Sequence, residues 1–410
     1  MVVGVDTFCC DPYLPCRIIL AFVLTPEEKM RYRIGLLIDS LIGGGAERIT
    51  LNFAEQFSKL GHDVHVFLVK NEIQHVTKDA QYQIHPVSED GEFSKNKFFN
   101  KLELAKRLKN KVHSIEKSDG KEFLFFISSA EDMDRLSKMA GLDNTIIRYR
   151  NSIKVYLQSK IGNKQGLKKI ERTIRWKRKF KSVYAGRHIV TVSKALIDEF
   201  DELNIRSKSI RNIYNPFDFD TIRKRASEPV NYPDEPYIIY VAKLENRKRQ
   251  DVLLRAYAEA KASQKLVLLG GVYTDSDIQW QNDMKALAKE LGIEEKVVFA
   301  GFDQNPYPWI KNAQLFVMSS DSEGLPTVLI ESLIVGTKVV STNCPTGPSE
   351  ILTGQLASYL SPVGESGPLA VNIVRALEEY PEIDESLISQ YRSEMVAKAY
   401  IEHAKALFEA

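Results

Sequence analysis

At 410 residues, 44% hydrophobic and 27% charged, the chain is too long for one ordinary core and too apolar for a disordered one, so two soluble globular domains are expected. The net charge of +2 conceals an asymmetry: residues 151–188 carry twelve Lys or Arg against one acid, Glu171, so the remainder is net acidic. The four cysteines have no metal-site spacing, which suits a reduced, cytosolic chain with no metal site.

Residues 1–29 differ from the rest and hold Cys9, Cys10 and Cys16. The apolar run 18–24 is far too short to cross a bilayer. Asp6 and Asp11 outweigh Arg17, so it lacks the basic flank of a signal peptide. The segment reads as an extension ahead of a start at Met30. Apolar runs then alternate with amphipathic stretches, the pattern of parallel α/β units. Strands are expected at 34–38, 64–69, 123–127, 145–149, 188–192 and 210–214. A helix is expected at 46–60, after Gly43-Gly44-Gly45, and helix and loop in the polar, basic stretch 88–118.

Asn215-Pro216-Phe217-Asp218 and the proline-rich stretch 228–236 punctuate the chain. A second series follows, with strands at 237–241, 265–269, 297–300, 315–318, 338–341 and 357–360. Helices are expected at 249–262, 281–291, 368–379 and 384–408. The resulting fold class is α/β, with two doubly wound Rossmann-like domains facing a central cleft at the carboxyl ends of their strands. The divisions are an extension 1–29, a first domain 30–220, a second domain 221–390, and a C-terminal helix 391–410 returning to the first domain.

Four motifs carry chemistry. Gly43-Gly44-Gly45-Ala46-Glu47-Arg48 is a tight turn into a helix, and the N–H groups at Gly44 and Gly45 can meet a phosphate or a sugar. It lacks the spaced glycines of a dinucleotide fingerprint. Val241-Ala242-Lys243-Leu244-Glu245-Asn246-Arg247-Lys248 ends a strand, and Lys243 and Lys248 can clamp a departing diphosphate. Arg247 and Arg249 read as ordinary solvated cations. In the third motif, Ser322-Glu323-Gly324-Leu325-Pro326-Thr327-Val328-Leu329-Ile330-Glu331, Gly324 lets backbone approach a ligand and Pro326 suits a first helical turn. The eight-residue step from Glu323 to Glu331 is a little over two turns, so both carboxylates can address one ligand. Taken alone, such a pair is more often a loop acid and a surface acid. The fourth, Cys344-Pro345-Thr346-Gly347-Pro348-Ser349-Glu350-Ile351, is a rigid turn starting another helix.

With these residues in place, the chain from about Met30 onward resembles the family 4 retaining glycosyltransferases of GT-B fold. Glu323 and Glu331, Lys243 and Lys248, and the Asn215–Asp218 segment stand in that family's order and spacing. The resemblance implies that the first domain binds the acceptor and the second the nucleotide sugar. It implies catalytic roles for Glu323, Lys243 and Lys248, with both lysines on the donor diphosphate. Glu331 would take the ribose, Glu323 and the backbone of Gly324, Leu325, Pro326 and Thr327 the donor sugar, and Phe302 the vicinity of the base. Lys243 stands where Arg is commoner, which removes a bidentate fork. A first-domain His found in many members is absent, and the strand end reads Arg148-Tyr149-Arg150-Asn151-Ser152. That departure resembles the subgroup acting on lipid-linked oligosaccharides with UDP-N-acetylgalactosamine or similar donors, and implies an active-site role for Arg150. His62, His65 and His188 border strands and read as structural.

The implied reaction is a retaining, metal-independent transfer that needs no cofactor beyond a UDP-sugar donor. The leaving phosphate helps take the acceptor proton, and Glu323 aims the sugar. In the segment 166–184, Leu167, Ile170 and Ile174 recur at helical spacing, as do Trp176, Phe180 and Val183, with Lys and Arg between them. This basic amphipathic stretch suits an anionic membrane surface, hence a peripheral position on the inner face of the cell membrane. Nucleic acid is not expected as a partner, since no recognition fold accompanies the helix. The rivals are a UDP-sugar epimerase of the same fold, a phosphorylase, and a non-catalytic donor-binding partner of another transferase.

Overall fold

The computed structural model describes residues 30–42, 45–73, 80–88, 98–162, 164–230 and 233–409. The extension 1–29 lies outside them, as do Gly43 and Gly44. The first domain is built on strands β1 (Arg33–Ile38), β2 (Asp63–Lys70), β3 (Gln83–Ser88), β4 (Phe123–Ser128), β5 (Thr145–Tyr149), β6 (His188–Thr191) and β7 (Ser209–Asn212). Helices α1 (Gly45–Lys59), α2 (Phe98–Asp119), α3 (Glu131–Ala140), α4 (Ile153–Ile161), α5 (Gly166–Tyr184), α6 (Ala195–Glu202) and α7 (Phe219–Arg225) connect and cover it. The second domain has strands β8 (Tyr237–Val241), β9 (Lys265–Leu269), β10 (Val297–Gly301), β11 (Leu315–Met318), β12 (Val339–Thr342) and β13 (Leu360–Ser361). Its helices are α8 (Gln250–Ala260), α9 (Asp275–Glu290), α10 (Tyr307–Asn312), α11 (Thr327–Ile334), α12 (Pro348–Ile351) and α13 (Ser366–Glu378), and α14 (Ser393–Phe408) closes the chain.

The sheets run β3-β2-β1-β4-β5-β6-β7 and β10-β9-β8-β11-β12-β13. The paired strands are parallel, with Ile34 opposite Val64 and Tyr237 opposite Lys265. Parallel sheets are covered on both faces, which is why β1, β5 and β11 are buried along their whole length. The order reverses between β1 and β4 and between β8 and β11, the switch points where open α/β sheets bind ligands.

The expected apolar runs fall on β1, β2, β4 to β12, and the structure adds one strand and trims two elements. β3 had no apolar run to announce it: it is an edge strand carrying Pro86, which such an edge tolerates. The expected strand 357–360 is mostly the 3-10 turn Gly354–Tyr359. The expected helix 384–408 begins only at Ser393, after two 3-10 turns at Glu385–Leu387 and Ser389–Tyr391. The Ser389–Tyr391 turn is where the chain recrosses to the first domain: Phe217 N–H donates to Tyr391 O at 2.8 Å, and Ser393 N–H to Phe217 O at 2.9 Å. α14 then packs on α1, with Tyr400 edge-on to Phe53 at 5.0 Å. Val396, Ala397 and Ala404 join the same cluster as β1 and β2.

Several polar groups sit inside the first domain, and one of them titrates in a useful range. Asp134 on α3 accepts from Ser128 Oγ at 2.5 Å and from Tyr184 Oη at 3.1 Å. Burial raises its carboxyl to about 7, against the opposing pull of these hydrogen bonds and of Arg187. An unfolded aspartate releases its proton near about pH 4. The folded chain therefore holds more protons between that value and about 7, and stability falls as pH rises through this window. Asp134→Asn, which keeps the shape without the titration, should flatten the decline of Tm across this interval; an unchanged slope would remove Asp134 from the pH dependence.

Candidate active site

The two sheets face each other through their carboxyl ends, and at one point backbone meets backbone. Gly324, ahead of α11, lies so close to the end of β5 that a Cβ would stand 1.9 Å from the Arg150 carbonyl oxygen. No other residue fits there. The loop is held from behind by the fourth motif. Thr346 Oγ1 donates to the Glu323 carbonyl. Gly347, at φ +108°, leaves the space that Pro326 occupies, since a Cβ would meet Pro326 Cδ at 2.4 Å. The Cys344–Ile351 turn is thus a brace for the Glu323 loop. The same turn reaches across the cleft: the Glu350 carboxylate accepts from the Lys194 N–H at 2.8 Å, the Ala195 N–H at 3.1 Å and Tyr214 Oη at 3.1 Å. It therefore caps α6 of the first domain.

A cleft of about 430 Å³ lies between the walls, within the range of small-ligand sites. Its second-domain wall is Arg247, Ser322, Glu323, Gly324, Leu325 and Thr327. The start of α1 at Gly45 and Ala46, the β5 end at Arg148, Arg150 and Asn151, Tyr156 of α4, and Asn215 contribute to the opposite wall. Three cations and one carboxylate face this space, so it favours an anion.

Glu323 is largely but not wholly withdrawn from solvent, its side chain 11% exposed, and it is bonded by Lys248 Nζ at 2.6 Å, with Arg247 Nη1 at 3.5 Å. Burial alone would raise its carboxyl, but the charges of Lys248 and Arg247 outweigh it and hold the group below the ordinary range. It is an anionic acceptor rather than a stored proton. The reading of Arg247 as an ordinary solvated cation is incomplete: its side chain is 42% exposed, yet it lines the cleft and donates to Ser322 O at 2.7 Å. Arg249 corrects the same reading. It adopts φ 49° and pairs with Asp251 at 2.9 Å and Asp321 at 3.0 Å, which fixes the turn that aims Lys248.

The other expected residues are spread along the second-domain edge. Lys243 pairs with Asp277 at 3.0 Å and Glu245 at 3.4 Å, outside the cleft lining. Glu331 is buried on α11, accepting from Tyr307 Oη at 3.3 Å with Arg48 Nη1 at 3.6 Å. Arg48 comes from α1 and also donates to Tyr307 Oη at 2.9 Å, so this cluster bridges the domains. Pro326 caps α11 behind the lining, and Phe302 projects at 67% exposure after Gly301, also outside it. Gly45 and Arg150 line the cleft; Gly44 lies outside the described residues. His65 bonds His85 at 2.8 Å, His62 Nδ1 accepts from the Tyr32 N–H at 3.3 Å, and His188 bonds Ser209 at 2.8 Å, none of them in the lining. Sequence reasoning missed Arg148 and Asn215 as lining residues; the alternation Arg148-Tyr149-Arg150 at a strand end was the available signal.

Near the cleft, α4 packs on α5. The stripe Phe180, Val183 and Tyr184 of α5 is core. The other stripe is not: Leu167, Ile170 and Ile174 stand 84%, 57% and 46% exposed among the basic residues. Lys179 and Lys160 lie over the Trp176 ring at 4.2 and 5.6 Å. Among the described residues, no helix is long and apolar enough to cross a membrane.

Residues 221–394 match the family model of glycosyl transferases group 1. Over 90% of this chain and 94% of the relative, the sequence is 27% identical to the N-acetylgalactosamine-N,N'-diacetylbacillosaminyl-diphospho-undecaprenol 4-alpha-N-acetylgalactosaminyltransferase of Campylobacter jejuni. It is 27% identical to the lipopolysaccharide 1,6-galactosyltransferase of Escherichia coli over 43% of this chain and 48% of that one. Among solved structures, a Rickettsia africae glycosyltransferase superposes with a TM-score of 0.72 at 17% identity, covering 92% of this chain and 98% of that one. The Anabaena protein Alr3699/HepE, solved with UDP and glucose, gives 0.67 at 16% identity, covering 92% and 100%. The fold is GT-B.

Because Glu323 and Lys248 touch, Glu323→Gln and Lys248→Met should each lower kcat/KM by about 10²-fold, the scale of losing one aligned charge. The double variant should lose much less than the product of the two. Initial rates on folded protein check this, and full multiplicativity would uncouple the pair.

Proposed function

We propose that this glycosyltransferase, whose second domain belongs to the glycosyl transferases group 1, moves a hexose or N-acetylhexosamine from a UDP-sugar to a lipid-linked or surface-polysaccharide acceptor, with retention at the anomeric carbon. The observation that carries the reading is the ionised Glu323, set between Lys248 and Arg247 at the start of α11 and facing the cationic β5 end across the cleft. A diphosphate leaving group needs fixed positive charge where its own charge develops, and these side chains supply it without a metal. A lipid diphosphate acceptor draws support from the Campylobacter relative, which is named for one.

In the reaction, the bond from the anomeric carbon to the β-phosphate oxygen breaks as the acceptor oxygen bonds on the same face. The acceptor proton passes to the departing phosphate. Lys248 and Lys243 hold the diphosphate; Glu323 and the backbone of Gly324 to Thr327 hold the donor sugar. Glu331 accepts from the ribose hydroxyls, and Phe302 lies by the base. Among the described residues no His lines the cleft; in this reading the phosphate takes the proton, and the protein's part is positioning. A thermal-shift screen tests the donor: UDP and a UDP-hexose or UDP-N-acetylhexosamine should raise Tm, as a ligand of the folded state must. A larger response to GDP or a GDP-sugar would overturn the donor class.

The exposed stripe of α5 supports a peripheral position on the inner membrane face, where the acceptor's lipid would lie. Basic residues near an anionic surface contribute about 1 kcal/mol each. Combined Lys168→Gln, Lys169→Gln, Arg175→Gln and Arg178→Gln should therefore abolish flotation with anionic liposomes at low salt while leaving Tm unchanged. Wild-type protein that fails to float would end the membrane assignment.

A further inference from the structure

Arg148 is a charge without a counter-charge. It is 3% exposed, yet it lines the cleft. One guanidinium nitrogen, Nη2, donates to Asn215 Oδ1. Nε and Nη1 are buried and meet no hydrogen-bond partner. Among the described residues no carboxylate acts on the group: burial lowers its affinity for the proton to about 10, the Tyr400 hydroxyl opposes that, and Arg150, of the same sign, adds to it. Guanidinium remains ionised under ordinary conditions. A buried, unpaired cation costs a protein several kcal/mol, so a fold keeps one where something else neutralises it.

The surroundings indicate what that is. Gly45 and Ala46, the first residues of the 15-residue helix α1, line the same cleft, and the start of a helix is electropositive. Arg150 sits two residues on and also lines it. The Arg fork suits phosphate oxygens.

We propose that Arg148, Arg150 and the start of α1 form an anion subsite in the first-domain wall of the cleft, filled by a phosphate group of one of the two substrates. The identity of those substrates rests on the function proposed above; the subsite itself does not. The phosphate comes either from the donor nucleotide or from a phosphorylated acceptor, and the two arms of one experiment separate these sources.

The full chain is titrated calorimetrically with inorganic pyrophosphate and, separately, with UDP. Arg148→Met should weaken pyrophosphate at least about tenfold, the scale of losing charge-assisted hydrogen bonds, and Arg148→Lys should weaken it less. The Tm of ligand-free Arg148→Met should not fall, because the substitution removes an uncompensated charge. A parallel loss of UDP affinity assigns the phosphate to the donor; unchanged UDP affinity assigns it to the acceptor. Arg150→Gln, on the accessible rim, must weaken pyrophosphate too, which keeps the test decisive if Arg148→Met does not fold. Wild-type protein that binds pyrophosphate in an Arg148-dependent manner but ignores UDP retains the subsite and sinks the UDP donor. Undiminished pyrophosphate affinity in either Arg148→Met or Arg150→Gln overturns the proposal.

Discussion

A carboxylate largely withdrawn from water must be compensated where it stands, and the arrangement around the Glu323 loop follows from that demand. Removing a charge from water costs several kcal/mol unless partners meet it at close range. Lys248 and Arg247 supply the charge. Their shared turn is locked by Arg249 in a left-handed conformation on Asp251 and Asp321. The carboxylate's own backbone is held by Thr346, and Gly347 yields room for the proline that starts α11. Three sequence motifs far apart in the chain are thus parts of one mount. The ionised side chain they hold is an acceptor of hydrogen bonds, which is why it serves to aim a ligand rather than to deliver a proton.

Most of the fold was legible because parallel strands buried on both faces are nearly continuous apolar runs, as β5, β8, β9 and β11 are. β3 was not, because an edge strand with exposed positions and a proline has no such run. The segment Glu385–Tyr391 reads as helix by composition, yet it turns in 3-10 form to bring Phe217 and Ser393 together. Tertiary demand overrode local preference there.

The site divides in the same way. Glu323 and Gly324 could be picked out since their spacing is unusual and the glycine has a steric reason to be there. Arg148 could not, because a charged residue is expected outside. Whether an arginine is solvated or sealed into a wall depends on chain brought from elsewhere, here Asn215. Charge in a sequence is visible; the solvent it loses on folding is not.

The domain junction is largely polar along the cleft, with Arg48 on Tyr307 and Glu331, and Glu350 on α6. The second of these has a particular consequence. Helix α6 owes its first-turn cap to a residue of the opposite domain. Such a cap contributes about 0.5–2 kcal/mol, enough to favour contact and too little to enforce it. If the domains part, the carboxylate is rehydrated and the first turn of α6 opens to solvent. The amide protons of Lys194 and Ala195 then lose their acceptor and exchange with water in proportion to the time the domains stand apart. The molecule carries, in two backbone protons remote from the chemistry, a gauge of how much of the time its cleft stands open.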